Sequence, residues 1–195
     1  MNYIGGLKLI ATKMIKWKDL ETERLRLREV IDNDKQSIFQ LYSDKASSLL
    51  DDWEPMKHLD EADDKIRDMK DGFISKQEIS FIITQKHTRE FIGCCGMFDI
   101  NEENSNCCLF IQIDKHYRNQ GIATEAIHAI TKYGMEDLKF HRMYAYITPG
   151  NDASLRVLSK CGYIREGILR DMEFYKDRYW DGIVMAIIEQ DYFGM

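Results

Sequence analysis

The stretch from Arg118 to Ala126 constrains the chain most, because it joins a strand-like apolar run, 107–113, to a helical pattern. Gly121 lets the backbone bend and approach a ligand closely, and Ala123 keeps the next position of the turn small. The first amides of a helix have no partner within it, and the helix dipole places a partial positive charge there. The turn is therefore predicted to bind an anion such as a diphosphate, mainly through main-chain N–H groups.

This turn differs from the two commonest phosphate loops. It has neither the Gly-x-Gly-x-x-Gly spacing of a dinucleotide site nor the Gly-Lys-Ser/Thr ending of a P-loop. Arg118-x-x-Gly121-x-Ala123 after a strand instead resembles the acetyl-CoA signature, Arg/Gln-x-x-Gly-x-Gly/Ala, of the GNAT superfamily of N-acetyltransferases.

A second block, from Thr148 to Arg170, is more specific. It resembles the Asn-x-x-Ser, helix, Gly-aromatic, Glu-Gly-x-x-Arg run of the RimJ/RimL branch, whose members acetylate N-terminal amines of ribosomal proteins and other amines. The segment 22–28 resembles the first strand of that branch, and Trp180-Asp181 its last hairpin, so the resemblance spans about 22–192. It implies an α/β fold: a mostly antiparallel central sheet with one splayed parallel pair of strands, and helices on both faces.

Composition favours one domain. The 195 residues are 44% hydrophobic and include only two prolines, with no Gly/Ser-rich linker and no repeat. We expect an N-terminal extension over 1–21 and a single domain over 22–195. The net charge of −6 argues against a nucleic-acid partner and favours a cationic acceptor. Exposed edge strands are compatible with a homodimer.

The five cysteines indicate a reducing, cytoplasmic setting, since they are odd in number and contain no Cys-x-x-Cys. Cys94-Cys95 and Cys107-Cys108 are expected to face each other across a hairpin. No histidine lies among them, so buried thiols are favoured over a metal cluster, and we predict no metal.

The extension itself has a helical pattern. Its apolar residues Leu7, Ile10, Ala11, Met14 and Ile15 fall on one face. Lysines interrupt the apolar run too often for a signal peptide or a transmembrane span. A short helix packed on the domain or on a partner is favoured, and a membrane-surface helix is the alternative.

Periodicity predicts alternating strands and helices along the domain. A first strand over 24–30 precedes a helix capped by Asp32 or Asn33, and a second helix over 60–70, with Leu59 facing inward, ends at Gly72. The remaining elements are strands over 79–85, 91–100 and 107–113, a helix to about 138, a parallel strand over 142–148, a helix closed by Gly162, and a hairpin of 163–175 with 179–188.

The resemblance implies acetyl-CoA as co-substrate. The open main chain at Ile111 and Ile113 would bind the pantetheine arm together with Asn151, and Ser154 would face the thiol. The diphosphate would lie at the turn formed by Arg118, Asn119, Gln120, Gly121, Ile122, Ala123 and Thr124.

The reaction implied is attack of a neutral amine on the thioester, which needs a base for the amine and an acid for the leaving thiolate. Ser154 is the predicted acid and Asn151 its catalytic partner, because Leu158 occupies the position where many family members carry a tyrosine. Cys108 occupies the position where a Glu base is common. Other groups are open alternatives for the base: Glu102, Glu103, Asp114, His116 and His141.

The acceptor is expected to be a protein or peptide N-terminal amine, because an α-amine is partly neutral at pH 7. A small amine (polyamine, amino acid or aminoglycoside) and a non-catalytic acyl-CoA sensor are the alternatives. Acidic residues over 51–71 would attract a cation; a solvated outer helix face is the other interpretation. Aromatic residues predicted to line the acceptor site are Trp53, Tyr144, Tyr146, Phe174 and Tyr175.

Overall fold

A computed structural model describes residues 17–50 and 53–194. Eight strands form one sheet in the order β1-β2-β3-β4-β5-β6-β8-β7. The strands are β1 Leu20–Glu21, β2 Leu25–Arg28, β3 Ile79–Gln85, β4 Phe91–Asn101, β5 Asn106–Ile113, β6 Arg142–Ile147, β7 Ile164–Tyr175 and β8 Arg178–Ile188. The predicted mixed sheet is confirmed, and three central strands agree with their predicted bounds to within one residue.

Helices cover both faces of the sheet. The helices are α1 Lys35–Tyr42, α2 Glu61–Ile74, α3 Ile122–Lys132, α4 Asp152–Lys160 and α5 Glu189–Phe193. Helices α1 and α2 pack on Ile82 and Cys94 on one face, whereas α3 and α4 contribute to the larger core on the other face. The predicted long helix after the turn changes at Tyr133 into a π-helical segment, Tyr133–Leu138.

The parallel strands β5 and β6 pair over only part of their length and leave a gap in the sheet. The two strands pair only over Asn106–Cys108 and Arg142–Tyr144. Beyond these residues β5 continues to Ile113 along β4, and β6 continues to Ile147 along β8. Main chain on the facing edges of both strands is therefore left outside the ladder.

Two expectations about helix α2 were wrong. Helix α2 does not end at Gly72 but continues to Ile74; Gly72 serves close packing instead, since a Cβ there would lie 2.8 Å from Glu78 Cβ. Leu59 precedes the helix and is 40% exposed rather than inward.

The cysteine pairs do not face each other. Cys94 is opposite Gln112, and Cys108 is opposite Phe98, because the hairpin turn lies much closer to Cys108 than to Cys94. All five thiols are buried and free, and the described residues contain no group of three or more His, Cys, Asp or Glu side chains able to hold a metal ion.

Residues before the first long strand pack on the domain. Trp17 contacts Phe73 and Phe81, with ring centroids 5.2 and 4.9 Å apart. The apolar face predicted over residues 7–15 lies outside the described residues. Among the described residues, no helix is both long and apolar enough to cross a membrane.

Candidate active site

The turn before α3 has the geometry of an anion-binding cradle. Gly121 has φ of 76° and Asn119 has φ of 60°, two left-handed positions that curve the main chain. The first helical bond runs from Glu125 N–H to the Gly121 carbonyl, 3.1 Å away. The amides of residues 122–124 precede that bond, so they have no partner within the helix.

Arg24 and Glu125 hold this turn in place. Glu125 Oε2 lies 2.6 Å from Arg24 Nε, and Glu125 Oε1 accepts hydrogen bonds from Thr22 Oγ1 and from the Arg24 amide. Arg24 Nη1 also donates to the Gln120 carbonyl, 3.0 Å away. Sequence reasoning assigned Arg24 only to a strand, yet its guanidinium lies beside Gly121.

Two residues of the predicted cradle use their side chains elsewhere. Arg118 Nε donates to the Ile113 carbonyl at 3.0 Å, and the guanidinium also bonds Ser47 Oγ. Gln120 Nε2 donates to the His116 carbonyl at 2.9 Å, and Gln120 does not line the cleft described next. Any ligand contact of this turn therefore comes mainly from its main chain.

A cleft of about 1270 Å³ runs from the turn through the gap between β5 and β6. Apart from Gln120, every residue predicted to bind the cofactor lines it: Ile111, Ile113, Arg118, Asn119, Gly121, Ile122, Ala123, Thr124, Asn151 and Ser154. Arg156 and Lys160 on α4 add two cations to the wall.

Asn151 caps helix α4. Its Oδ1 accepts the Ser154 N–H at 3.2 Å, which satisfies one of the free amides in the first turn of α4. Ser154 is half-buried in the cleft wall, one turn before the buried Leu158. A hydroxyl is therefore available where α4 meets the gap between the strands.

Cys108 lines the cleft on β5 but is unsuited to act as a base. Its side chain is 1% exposed, and burial raises the pKa of its thiol to about 12. At neutral pH it is therefore almost entirely a thiol. The charges of Asp99 and Glu173 add to this increase in pKa.

The acidic side chains in the cleft are ones that sequence reasoning missed. Among the described residues they are Glu78 before β3, Glu173 on β7 and Asp181 on β8. Glu173 is paired with Trp180 across the hairpin, directly after an irregularity in register that begins at Leu169. The open alternatives for the base, Glu102, Glu103, Asp114, His116 and His141, do not line the cleft.

Comparison with known proteins identifies the family. Residues 24–164 match the acetyltransferase (GNAT) domain. The chain belongs to the GNAT acetyltransferases. It is 30% identical over 175 residues to the uncharacterized N-acetyltransferase p20 of Bacillus licheniformis, covering 90% of the chain and 98% of that protein.

Solved structures with the same fold include GNAT enzymes with different acceptors. RimL, a ribosomal L7/L12 α-N-protein acetyltransferase in complex with coenzyme A, has a TM-score of 0.81 at 19% identity, with 90% of this chain and 99% of that one covered. Spermidine N-acetyltransferase from Vibrio cholerae, in complex with CoA and spermine, has a TM-score of 0.78 at 22% identity, with 88% and 99% covered.

Several aromatic residues lie in the cleft. Trp53, Tyr146 and Tyr175, which were predicted to line the acceptor site, line this cleft. Tyr175 stacks on Trp180 at 5.0 Å between ring centroids, and its hydroxyl lies 3.1 Å from Thr148 Oγ1. Tyr144 and Phe174 do not line the cleft: Tyr144 packs on Tyr146, and Phe174 is an exposed residue that packs on Tyr179.

The described carboxylates of the acidic segment lie away from the cleft lining. None of its described carboxylates lines the cleft. Asp63 pairs with Lys35 at 2.6 Å, Asp64 with Arg67 at 3.0 Å, and Glu61 accepts from the amides before α2. Asp63 and Asp64 are exposed and agree with the other interpretation, a solvated outer face of α2; Asp51 and Asp52 lie outside the described residues.

Proposed function

We propose that this GNAT enzyme transfers the acetyl group of acetyl-CoA to a primary amine, preferably the α-amine of a peptide or protein N-terminus. One observation carries the proposal. A single cleft joins the amide-lined turn at Gly121, the hydroxyl of Ser154 and the carboxylate of Glu173. An anion cradle, a proton donor and a proton acceptor are the groups that acetyl transfer to an amine requires.

The residues of the turn suit the diphosphate of acetyl-CoA, which would supply the acetyl thioester. The unpaired amides of 122–124 would hold the phosphates, and the guanidinium of Arg24 adds positive charge beside Gly121. Arg156 and Lys160 would favour further phosphate groups along α4. Ile111 and the Ile113 amide, beyond the part of β5 that pairs with β6, would bind a pantetheine amide and the thioester carbonyl, whereas the Ile113 carbonyl accepts from Arg118 Nε.

Two proton transfers are assigned to side chains in the cleft. Glu173 would accept the proton that the acceptor ammonium loses, so that the neutral nitrogen forms the new bond to the acetyl carbon. The carbon–sulfur bond then breaks, and Ser154 Oγ would donate its proton to the departing thiolate and regain one from solvent. Asn151 positions Ser154 through the bond to its amide.

The preference for an α-amine follows from proton equilibria. An α-amine with a pKa of about 8 is about one-tenth neutral at pH 7, whereas a lysine amine with a pKa of about 10.4 is neutral in about 4 molecules in 10,000. Cys108 remains protonated, and a carboxylate is a much weaker base than either amine. The α-amine therefore offers about 200 times more reactive acceptor at the same concentration.

This preference can be tested with one peptide in two forms. One form has a free N-terminus and an acetylated lysine; the other has an acetylated N-terminus and a free lysine. At pH 7 we expect kcat/KM for the free N-terminus to be at least tenfold higher, measured by mass spectrometry of the products. Faster transfer to the lysine would refute the preference but would leave acetyl transfer itself intact.

A small polycationic amine is the second candidate acceptor, because the cleft contains three described carboxylates, Glu78, Glu173 and Asp181. Spermidine should then compete with the peptide and reach a higher kcat/KM. This alternative is supported by the relative named spermidine N(1)-acetyltransferase from Escherichia coli strain K12, which is 26% identical over 181 residues.

The role of Glu173 can be tested by Glu173→Gln, which keeps the shape of the side chain and removes the base. For the peptide α-amine we expect kcat/KM to fall by about tenfold at pH 7, since about one-tenth of that amine is already neutral, and to recover as the pH rises above the pKa of the amine. Asp171→Asn is the matched control, because Asp171 is an exposed carboxylate on the same strand that does not line the cleft. Equal rates in both variants would remove Glu173 from the mechanism.

A further inference from the structure

Lys65 occupies an inward position of helix α2. It follows Ala62 by three residues and precedes Met69 by four, so it shares the face of these two buried residues. An apolar side chain is expected there. Lys65 is instead half-buried and is the one residue of α2 that lines the cleft.

The positive charge of Lys65 has no described counter-ion. The other cations of the helix are paired, Arg67 with Asp64 at 3.0 Å and Lys70 with Asp32 at 2.6 Å. Within residues 17–50 and 53–194, by contrast, no carboxylate oxygen lies within 4.0 Å of the Lys65 ammonium. Its Nζ lies 5.6 Å from the centroid of the Tyr42 ring.

A second hydrogen-bond donor lies at the same end of the cleft. Trp53 packs against Tyr42 with ring centroids 5.1 Å apart, so Tyr42 contacts both Trp53 and Lys65. The Trp53 indole N–H is buried and is the one such side-chain polar atom without a hydrogen-bond partner among the described residues. A buried donor of this kind is stabilised by any oxygen that reaches it.

Negative charge near Lys65 comes from Glu78, which accepts a hydrogen bond from Ser80 Oγ. Lys65 and Glu78 act in opposite directions on the buried Cys94: burial raises the pKa of that thiol to about 11, Lys65 opposes the increase and Glu78 adds to it. Glu78 is therefore close enough to influence this end of the cleft, but it does not form an ion pair with Lys65.

We propose that Lys65 recognises a carboxylate carried by the same acceptor molecule as the reacting amine. The inference rests on the proposed amine acetylation and narrows its substrate class. The ammonium of the acceptor would be attracted to Glu173, and its carboxylate to Lys65, with the Trp53 N–H as a second donor. An acidic side chain near a peptide N-terminus and the α-carboxylate of an amino acid share this chemistry, whereas a polyamine lacks it.

The test compares matched acceptors. One set consists of C-terminally amidated peptides with Asp or Asn at the second, third or fourth position; the other pairs free amino acids with their amides. Each is assayed for acetyl transfer and is also titrated calorimetrically into the protein with CoA, so that the preference is measured even without turnover. The variants are Lys65→Met, which keeps the aliphatic stem, and the control Lys70→Met on the outer face of α2.

We expect the wild-type protein to prefer the acidic member of at least one pair by about tenfold. Lys65→Met should reduce that ratio to about one, and Lys70→Met should preserve it. The pair that shows the effect identifies the source of the carboxylate. Equal use of both members by the wild type, or a preference that survives in Lys65→Met, would overturn the role of Lys65; CoA binding with no transfer to any amine would instead overturn the proposed function.

Discussion

Two substitutions at Gly121 test separately whether the turn tolerates a side chain at its left-handed backbone angles and whether it tolerates a negative charge. Its φ of 76° is unfavourable for residues with a side chain, at a cost of about 1–2 kcal/mol. Space is not limiting, because a Cβ at this position would meet only Arg24 Nη2, at 3.6 Å. Asn and Asp tolerate such backbone angles best and are nearly equal in size. Gly121→Asn and Gly121→Asp therefore differ mainly by one negative charge.

That charge should affect stability and binding in opposite directions. In Gly121→Asp the carboxylate lies beside Arg24 and at the start of α3, so the variant should be more stable than Gly121→Asn by about 0.5–1 kcal/mol. A diphosphate at the cradle would lie about 5 Å from the same carboxylate, where two unit charges repel by about 3 kcal/mol at an effective dielectric of about 20. Screening at the open cleft reduces this to about 2 kcal/mol, or about a 30-fold weaker Kd for CoA.

The two quantities are measured by urea unfolding without ligand and by calorimetric titration with CoA. The expected result is a Gly121→Asp protein that is more stable than Gly121→Asn yet binds CoA about 30-fold more weakly. Equal CoA affinity of the two variants would show that no phosphate lies at this turn, and the assignment of the cradle would fail.

Three further changes test other parts of the cleft and the sheet. Ser154→Ala should lower kcat by about tenfold or more at unchanged CoA affinity, and unaltered turnover would exclude Ser154 as the acid. Because burial raises the Cys108 pKa to about 12, Cys108→Ser should retain transfer with the same pH profile between pH 6 and 9; loss of a pH-dependent limb would contradict this. Gly93→Ala should destabilise the fold by about 3 kcal/mol or more, since its Cβ would lie 2.1 Å from the Gln112 carbonyl oxygen, whereas Gly167→Ala meets nothing within 4 Å and should be nearly neutral in urea unfolding.

The turn at Gly121 was predictable because its signals are local. A strand, a glycine turn and a helix start follow one another in the sequence, and the resemblance to the RimJ/RimL pattern added Ser154 at the start of the next helix. What sequence could not supply was the support of the turn. Arg24 reaches Glu125 and Gln120 only after β2 takes its place in the sheet.

Cysteine register was mispredicted for a related reason. The pairing of Cys94 with Gln112 depends on where the hairpin turns and on the irregular register between Phe98 and Asn101. Neither the position of the hairpin turn nor the irregular register can be predicted from composition. The residue types correctly indicated buried thiols, but the partner of each thiol depends on the ladder.

The positions of Glu173 and Lys65 in the cleft depend on topology, which explains why sequence reasoning missed them. Glu173 lies on a strand whose side chains are mostly exposed, so alternation of polar and apolar residues does not indicate which side faces the cleft; the irregular register before Glu173 changes the pattern again. On α2 the many carboxylates suggested an acidic mouth, yet helical geometry turns those that are described outward and brings the cation Lys65 to the cleft. The number of charged residues in a segment gives the sign of its net charge. The charge that a ligand meets in the cleft is set instead by the few side chains on the inward face of the helix.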